Sequence, residues 1–121
     1  MDADIFALDE PSAFIDIEDR IMLGKIINKF IKTYGKSAII VDHDLQLIDV
    51  ISDSIMIFNG KAGIYGNTTP PLTKEVAMNL FLKELKITYR RDIESGRPRV
   101  NKNNSKLDRE QKLSGNYYYI K

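Results

Sequence analysis

Two short apolar runs on either side of one amphipathic helix constrain the fold of this chain most strongly. The runs at residues 5–8 and 38–41 contain no polar residue. Strands without polar alternation are typical of parallel sheets that are covered on both faces. Between them, apolar residues recur at helical spacing, namely Leu23, Ile26, Ile27, Phe30, Ile31 and Tyr34. The strand–helix–strand order predicts a right-handed crossover in a parallel α/β sheet.

Capping residues mark the ends of the predicted helices. Asp16 is a good N-cap for the long helix, acidic residues follow it in the first turn, and Gly35 stops the helix. Asp44 can cap a second, short helix. The residues expected to face inward from that helix are Leu47, Ile48 and Ile51.

The middle of the chain predicts further strands and one helix. Residues 55–58 form a third apolar run, which we expect to turn at Asn59-Gly60 and to pair with residues 62–65 as a hairpin. Pro70-Pro71 precedes a helix over about residues 73–85. After residue 85 the chain is polar and basic until Tyr117 to Tyr119, which predicts an extended tail, tied down by an aromatic strand or else disordered.

Composition excludes several kinds of site. The chain has 121 residues, enough for one domain at most, and it contains no cysteine and one histidine. Disulfides, iron–sulfur clusters and multi-histidine metal sites are therefore excluded within this chain. No apolar run approaches the ~18–20 residues of a membrane span, and no signal peptide opens the chain. A soluble cytoplasmic protein is the expectation.

Charge is distributed unevenly along the chain. Residues 1–20 contain seven acidic side chains and a single base, Arg20, whereas residues 83–121 contain eleven bases and five acids. Such asymmetry can mark a metal or phosphate site at one end and a nucleic-acid contact at the other. Two solvated surfaces are the simpler interpretation.

Acidic residues follow both of the first two predicted strands. Asp9 and Glu10 end the first, and Asp42-His43-Asp44 follows the second. The carboxyl ends of parallel strands meet at one edge of a sheet, so Asp9 and Asp42-His43-Asp44 are expected to converge there. Each has a simpler interpretation on its own: the acids as strand ends or helix caps, and His43 as an ordinary loop residue.

The spacing of these residues resembles that of ABC-type ATPases. The run Asp-Glu-Pro-Ser-Ala and the Asp that follows resemble the Walker B strand and D-loop, and the acid-His-Asp run resembles the switch. The resemblance implies that Asp9 holds Mg²⁺ through water, that Glu10 activates the attacking water, and that His43 contacts the γ-phosphate. It places Ser12 and Asp16 in the D-loop.

Other elements of such a site are missing from the sequence. Residues 35–37 resemble the end of a phosphate loop, but Phe30 occupies the position of its first glycine, and a helix precedes them. Residues 113–115 resemble the start of an ABC signature, yet Asn116 and a tyrosine run follow. The sequence therefore lacks a phosphate-cradling loop with its lysine, a Q-loop and a signature motif.

The tail resembles the C-terminus of the ABC subfamily E family of ribosome-recycling ATPases, also called RNase L inhibitor, and its archaeal members in particular. The matching runs lie at residues 87–92, 96–102 and 108–117. The resemblance implies the C-terminal half of a second nucleotide-binding domain at residues 1–85 and a hinge at residues 86–121. The implied hinge residues are Arg90, Arg91, Arg97 and Arg99.

The same resemblance implies a function and a fold class. The fold would be a partial P-loop NTPase (ABC-type) parallel sheet with flanking helices, lacking the Walker A strand, followed by an extended basic tail. The chain would act in splitting ribosomal subunits, using ATP and Mg²⁺ only with the missing half-site. Its partners would be ribosomal subunits, through rRNA and protein, and the remaining ATPase halves, with no membrane.

The missing strand has structural consequences. Without the Walker A strand, three arrangements of the sheet are possible. The sheet can contain a gap, the strands at residues 38–41 and 55–58 can pair directly, or another chain can supply a strand. We expect the isolated chain to be marginally stable, because exposed apolar edges invite aggregation, and not to hydrolyse ATP. Two alternatives remain, a non-catalytic module that docks on ribosomes or on the ATPase, and a transporter nucleotide-binding half-domain.

Overall fold

The computed structural model describes residues 3–92, 94–96 and 98–119. Contacts divide the chain into two compact units, Met1–Ser52 and Asp53–Lys121. The boundary expected at residue 85 lies within the second unit and stays a prediction.

The first unit is the predicted strand–helix–strand crossover followed by a short helix. The two strands pair in parallel, with Ile5 opposite Ser37 and Asp9 opposite Val41. The elements are β1 (Ile5–Asp9), α1 (Ile17–Tyr34), β2 (Ser37–Val41) and α2 (Leu45–Ile51). The order and approximate bounds of these elements confirm the sequence prediction.

Helix α1 covers one face of this two-stranded sheet. The ring of Phe30 meets that of Phe6 on β1 edge-on, with their centroids 5.6 Å apart. Gly35 ends the helix in the left-handed conformation (φ 61°), and its N–H donates to the Ile31 carbonyl. A glycine adopts this conformation without steric cost, which explains why the helix stops there.

The opposite face of the sheet is exposed. Ile5, Ile39 and Val41 are 64%, 65% and 58% exposed. The expectation of strands buried on both faces is therefore wrong for these residues. Strands β1 and β2 thus have the apolar sequence of strands buried on both faces, although one of their faces is exposed to solvent.

Asp44 caps α2 as predicted. Its Oδ1 accepts hydrogen bonds from the backbone N–H groups of Gln46 and Leu47, at 2.8 and 2.9 Å. Leu47 is fully buried. Gly24 on α1 allows this approach, because a Cβ built at Gly24 would lie 3.0 Å from Leu47 Cδ1.

The second unit begins with short antiparallel pairs rather than a third parallel strand. Strand β3 (Ser54–Ile55) pairs with β6 (Leu72–Thr73), and β4 (Phe58–Lys61) pairs with β5 (Tyr65–Thr68). The prediction of one strand over residues 55–58 in the parallel sheet is wrong. Ile57 interrupts it, because its N–H donates to Thr69 Oγ1 at 3.0 Å.

The predicted hairpin forms, but its turn lies later in the chain. Asn59 and Gly60 lie within β4, opposite Asn67 and Gly66, and the turn spans residues 62–64. A Cβ at Gly60 would lie 2.3 Å from the Tyr65 carbonyl oxygen. Glycine is therefore required here for close strand approach and not for the turn.

Helix α3 (Lys74–Leu85) carries the apolar core of this unit, and it begins after Thr73 as predicted. Ala77, Met78 and Leu82 are buried on it. Helix α3 contacts β3, β6 and the last strand, β9 (Tyr118–Tyr119).

The segment after α3 is folded, so the prediction of an extended or disordered tail is wrong, although the aromatic strand expected there does form, at Tyr118–Tyr119. Strand β7 (Tyr89–Arg91) lies between β8 (Pro98–Val100), which is antiparallel to it, and the parallel β9. Helix α4 (Lys106–Ser114) connects the last two strands.

Buried polar side chains explain how so polar a segment folds. The Thr88 hydroxyl donates to Asp108 at 2.6 Å, and the Asn101 amide donates to Thr88 and to Gln111. All four residues are buried. Buried polar groups are stable when hydrogen-bonded, so low hydrophobicity here indicates a polar core and not disorder.

In the part of the chain that the structure describes, no helix is both long enough and apolar enough to cross a membrane.

Candidate functional site

The carboxyl ends of β1 and β2 bring Glu10 and His43 together. The Glu10 N–H donates to the Val41 carbonyl at 2.7 Å, which extends the pairing of the strands by one residue. His43 Nε2 lies 3.1 Å from Glu10 Oε1. The side chains are 48% and 78% exposed, so both are open to a substrate. The predicted convergence of the two strand ends occurs at Glu10 and His43, whereas the prediction named Asp9 in the place of Glu10.

Glu10 has a strained backbone conformation. Its φ is 46°, in the left-handed region that side-chain-bearing residues rarely adopt. The Ala13 N–H donates to the Glu10 carbonyl at 3.0 Å, so a tight turn begins at this residue. Strain of this kind persists where surrounding contacts impose it, and it is enriched at functional sites.

Ser12 joins the turn after β1 to the loop after β2. Its hydroxyl donates to Asp42 Oδ1 at 2.8 Å, and its N–H donates to Asp42 Oδ2 at 3.1 Å. The Asp44 N–H also donates to Asp42 Oδ1, at 2.8 Å. Burial acts to raise the pKa of Asp42, but the hydrogen bonds from Asp44 and Ser12 outweigh it and lower that pKa. Asp42 is therefore held as an anion that fixes both loops.

Arg20 makes a second connection between the same loops. Its Nε donates to the Ile15 carbonyl at 2.6 Å, and its Nη1 donates to Asp44 Oδ2 at 2.6 Å. Sequence reasoning did not assign a role to Asp42 or Arg20. The available signals were an acid directly before the histidine and a lone base among seven acids.

A small cleft of about 220 Å³ lies at this point. The side chains of Asp9 and Asp16 do not line it. Asp9 ends β1 and is exposed, and Asp16 precedes α1 without making a capping hydrogen bond. The lining residues are Glu10, Ser12, Ala13, Arg20, His43 and Asp44.

The size of the cleft limits what it can hold. Pockets for whole small-molecule ligands are usually ~300–1,000 Å³, so this cleft has room for a phosphate and a water but not for a nucleotide. Among the described residues, no group of three or more His, Asp or Glu side chains could hold a metal ion. Mg²⁺ keeps most of its waters and needs only one or two carboxylates. Asp9, the ligand expected from the resemblance, ends β1 but does not line the cleft, so its role at a metal stays a prediction.

A larger groove of about 640 Å³ lies in the second unit. Phe58 and Leu85 contribute apolar surface to it, and Glu84 is the charged residue among those described that line it. Because it holds no acid–base pair, the groove is not the better candidate for catalysis.

Three of the four arginines expected at a hinge, Arg90, Arg91 and Arg99, lie on the sheet of the second unit. Arg90 on β7 is directly opposite Arg99 on β8, and Arg91 is opposite Pro98. Arg99 Nε lies 3.7 Å from Asp92 Oδ2. Arg97 lies outside the described residues, and the hinge role stays a prediction.

The two rejected motifs occupy helix ends. Gly35 ends α1 and Ser37 begins β2, while Lys36 Nζ lies 2.9 Å from Asp4 Oδ1. Gly115 ends α4 in the left-handed conformation. A phosphate loop leads from a strand into a helix, so residues 35–37, which lead from α1 into β2, cannot form one.

Comparison with known proteins identifies close relatives, although no protein-family model matches the chain. The "Translation initiation factor RLI1" of Chaetomium thermophilum is 46% identical over 118 residues, which are 98% of this chain and 19% of that protein. An "Uncharacterized ABC transporter ATP-binding protein" of Methanocaldococcus jannaschii is 46% identical over 119 residues, 98% of this chain and 20% of that protein.

A solved structure is also closely similar. It is the crystal structure of a complex between an archaeal ribosomal stalk protein and an archaeal ribosome recycling factor. It superposes with a TM-score of 0.92 at 48% identity, over 98% of this chain and 23% of that one. The chain thus spans about a fifth of the length of its curated relatives. By sequence and by structure, it belongs to the RNase L inhibitor family, subfamily E of the ABC ATPases.

Proposed function

We propose that this chain supplies one side of the hydrolytic site of an ABC-type ATPase that couples ATP hydrolysis to the splitting of ribosomal subunits. The observation that carries the proposal is the 3.1 Å approach of His43 Nε2 to Glu10 Oε1 at the ends of two parallel strands. Relatives described as a translation initiation factor and a ribosome recycling factor support the biological setting.

Glu10 is the general base in this proposal. A carboxylate is an acceptor of protons, and Glu10 presents one at the open mouth of the cleft, where it can take a proton from an attacking water. The strained turn fixes its backbone through the hydrogen bonds to Val41 and from Ala13. Glu10 therefore starts from a defined position without needing to reorganise.

His43 is the phosphate contact. With a proton on Nε2, its imidazole donates to Glu10, and the same N–H can donate instead to a phosphate oxygen. Occupation of the cleft by a terminal phosphate would exchange one acceptor for the other. Glu10 would then be free to accept the proton of water, and loss of the phosphate would restore the pair.

Asp9 would hold Mg²⁺ through water, and the ion would neutralise charge on the phosphates. Because the sequence lacks a phosphate-cradling loop and a signature motif, a second polypeptide segment must contribute them. Ser12 and Asp16, in the D-loop, would face that segment.

The partners follow from the same proposal. The chain would work in the cytoplasm with the remaining ATPase halves and with ribosomal subunits, corresponding to the C-terminal part of the longer relatives. Arg90, Arg91, Arg97 and Arg99 would contribute to a hinge. With no cysteine, this chain would carry no iron–sulfur cluster.

Nucleotide titration tests the proposal. A fluorescent ATP analogue with Mg²⁺ is added to the chain alone and then to a mixture with a polypeptide that carries the phosphate loop and signature segments. We expect binding and hydrolysis in the mixture only, and loss of hydrolysis with Glu10→Gln. Glu18→Gln, which removes an exposed carboxylate from α1, is the matched control and should leave hydrolysis unchanged.

Two results would contradict the proposal. One is hydrolysis by the chain alone that is insensitive to Glu10→Gln. The other is the absence of nucleotide binding and hydrolysis in the mixture, together with salt-sensitive cosedimentation with ribosomal subunits that nucleotide does not change. That combination would instead indicate a docking module.

A further inference from the structure

Arg20 occupies a position that helix electrostatics disfavours. Its N–H donates to the Asp16 carbonyl at 2.9 Å, so it lies in the first turn of α1. Its guanidinium also contacts Asp44, the N-cap of α2. Helix N-termini carry partial positive charge and favour acids, so a cation beside two of them gains nothing from the helices. Its placement therefore needs another explanation.

The contacts of Arg20 join two loops. Nε donates to the carbonyl of Ile15, at the end of the turn that follows β1, and Nη1 donates to the carboxylate of Asp44, in the loop that follows β2. Both distances are 2.6 Å, and the side chains of Arg20 and Asp44 are 31% and 15% exposed. Charge-assisted bonds of this length with limited exposure hold their partners firmly.

A second connection lies closer to the strands. Ser12 bonds Asp42 through its hydroxyl and its N–H. The turn with Ser12 also carries Glu10, and the loop with Asp42 and Asp44 carries His43. The two loops are therefore joined at two separate places, by Ser12 to Asp42 and through Arg20 from Ile15 to Asp44.

We infer that Arg20 is a positioning residue that holds Glu10 and His43 at their mutual distance by clamping Ile15 to Asp44. The inference deepens the proposed function and depends on it for its catalytic meaning. Lysine could not replace arginine here, because a single ammonium lacks the planar fork that donates in two fixed directions.

Nuclear magnetic resonance of the chain tests the clamp without requiring catalysis. His43 is the only histidine in the sequence, so its imidazole Cε1–H resonance reports on this one site. Glu10→Gln should shift that resonance in the otherwise native chain. In the Arg20→Gln chain, the same Glu10→Gln change should shift it by less than half as much, because the pair is already separated.

Matched variants separate positioning from charge and from folding. Lys25→Gln removes an exposed cation from the same helix and should leave the shift caused by Glu10→Gln at its native size. Asp44→Asn keeps an acceptor for the helix cap but removes the anionic partner of Arg20, so it should reproduce the effect of Arg20→Gln. Circular dichroism verifies that each variant is folded. An undiminished shift in folded Arg20→Gln and Asp44→Asn chains would overturn the inference.

Hydrolysis in the mixture provides the second readout. Arg20→Lys should lower kcat about tenfold with the KM for ATP unchanged, because misplacement of reacting groups slows the chemical step. If the His43 shift caused by Glu10→Gln is diminished in the Arg20→Gln chain but the mixture does not hydrolyse ATP, the result supports the clamp and counts against the proposed function. If hydrolysis depends on Glu10 but not on Arg20, and the His43 shift is undiminished, the clamp is overturned and the proposed function stands.

Discussion

His43 Nε2 lies 3.1 Å from Glu10 Oε1, yet both side chains remain substantially exposed to solvent. An exposed contact of this kind contributes little to stability, because even a surface salt bridge is typically worth only ~0–1 kcal/mol. The pair therefore does not explain the fold, whereas the neighbouring contact of Ser12 with Asp42 does hold the loops together. Stability and chemistry depend on different residues within the same cleft.

Separate variants should reveal this division. We expect Glu10→Gln and His43→Ala to change the free energy of unfolding by less than about 0.5 kcal/mol. Ser12→Ala should lower it by about 1–2 kcal/mol, because Ser12 is 6% exposed and donates to a carboxylate. Urea titrations of the three variants measure the difference. Equal losses for Glu10→Gln and Ser12→Ala would mean that the exposed pair is structural.

Asp108 makes the second unit resistant to acid. Hydrogen bonds from Lys112 and from Thr88 lower the pKa of Asp108 from 3.8 to about 2, although burial opposes the shift. Because the folded pKa is below the unfolded one, the stabilisation is complete above pH 3.8 and is lost as the pH falls toward 2. Lys112→Met should raise the pKa of Asp108 and move this loss to higher pH.

Urea midpoints measured between pH 2 and 6 test the linkage at Asp108. Lys106→Met is the control, since Lys106 lies on the same helix but only approaches Glu110 at 4.0 Å. It should leave the pH dependence unchanged. A Lys112→Met chain with the native pH profile would show that the hydrogen bonds from Thr88 and from the Asn104 N–H keep the pKa of Asp108 low without Lys112.

The sequence predicted local elements better than their environment. Asp16, Gly35 and Asp44 mark helix ends correctly, because capping depends on a few neighbouring residues. Burial of Ile39 was predicted wrongly, because the apolar pattern of a strand cannot tell whether a covering layer is present. Local pattern decides the element, and tertiary contacts decide its exposure.

The candidate site shows the same limit. The convergence of the ends of β1 and β2 was predicted correctly, since it depends only on topology, but the prediction named Asp9 where Glu10 contacts His43. The role of Arg20 was not predictable, because it depends on distances between loops. The polar segment with Thr88 and Asp108 was misread as an extended tail, because composition does not reveal that polar side chains satisfy one another.

Phe14 combines strain with full exposure. Its φ is 62°, and its side chain is 107% exposed relative to the reference state. Left-handed backbone costs a side-chain-bearing residue ~1–2 kcal/mol, and glycine avoids that cost. Phe14→Gly should therefore be about 1 kcal/mol more stable than Phe14→Ala. Both variants remove the ring, so the comparison isolates the backbone.

The same pair of substitutions at Met22 is the control for Phe14. Met22 is exposed within α1, where glycine is ~1 kcal/mol worse than alanine. The order of stability should therefore reverse between the two positions in urea titrations. An identical order at both would mean that residue 14 does not keep the left-handed conformation in solution.

Gly24 allows α1 and α2 to approach closely. Alanine would gain ~1 kcal/mol of helix propensity, but its Cβ would lie 3.0 Å from Leu47 Cδ1 and 3.2 Å from Val50 Cγ1. Leu47 is fully buried, so it has little freedom to move. We expect Gly24→Ala to lower the free energy of unfolding by about 1 kcal/mol net.

A second substitution tests the steric origin of that loss. Leu47→Val removes the Cδ1 atom that a Cβ at residue 24 would meet. In that background Gly24→Ala should cost less than in the native chain, or become stabilising. The coupling is read from urea titrations of the four chains in a double-mutant cycle. Additive effects would locate the cost elsewhere than at Leu47.

Asn79 on α3 makes hydrogen bonds to the backbone at and just before β9. Its Oδ1 accepts from the N–H groups of Tyr117 and Tyr118, at 2.7 and 3.3 Å, and its amide donates to the Gly115 carbonyl at 3.3 Å. Asn79→Ala should cost about 1–3 kcal/mol, since it leaves these backbone groups without their partner. Amide hydrogen exchange at Tyr117 should accelerate correspondingly.

Asn79→Asp is the matched variant, because it keeps the acceptor and loses only the weaker donor contact to Gly115. Its exchange at Tyr117 should stay near the native rate, while Asn79→Ala exchanges faster. If both variants accelerate exchange equally, then the amide donation to the Gly115 carbonyl, which both variants lose, holds the strand, and the side-chain acceptor does not. If neither does, the pairing of β9 with β7 suffices, since the Tyr89 N–H already donates to the Tyr117 carbonyl at 2.8 Å.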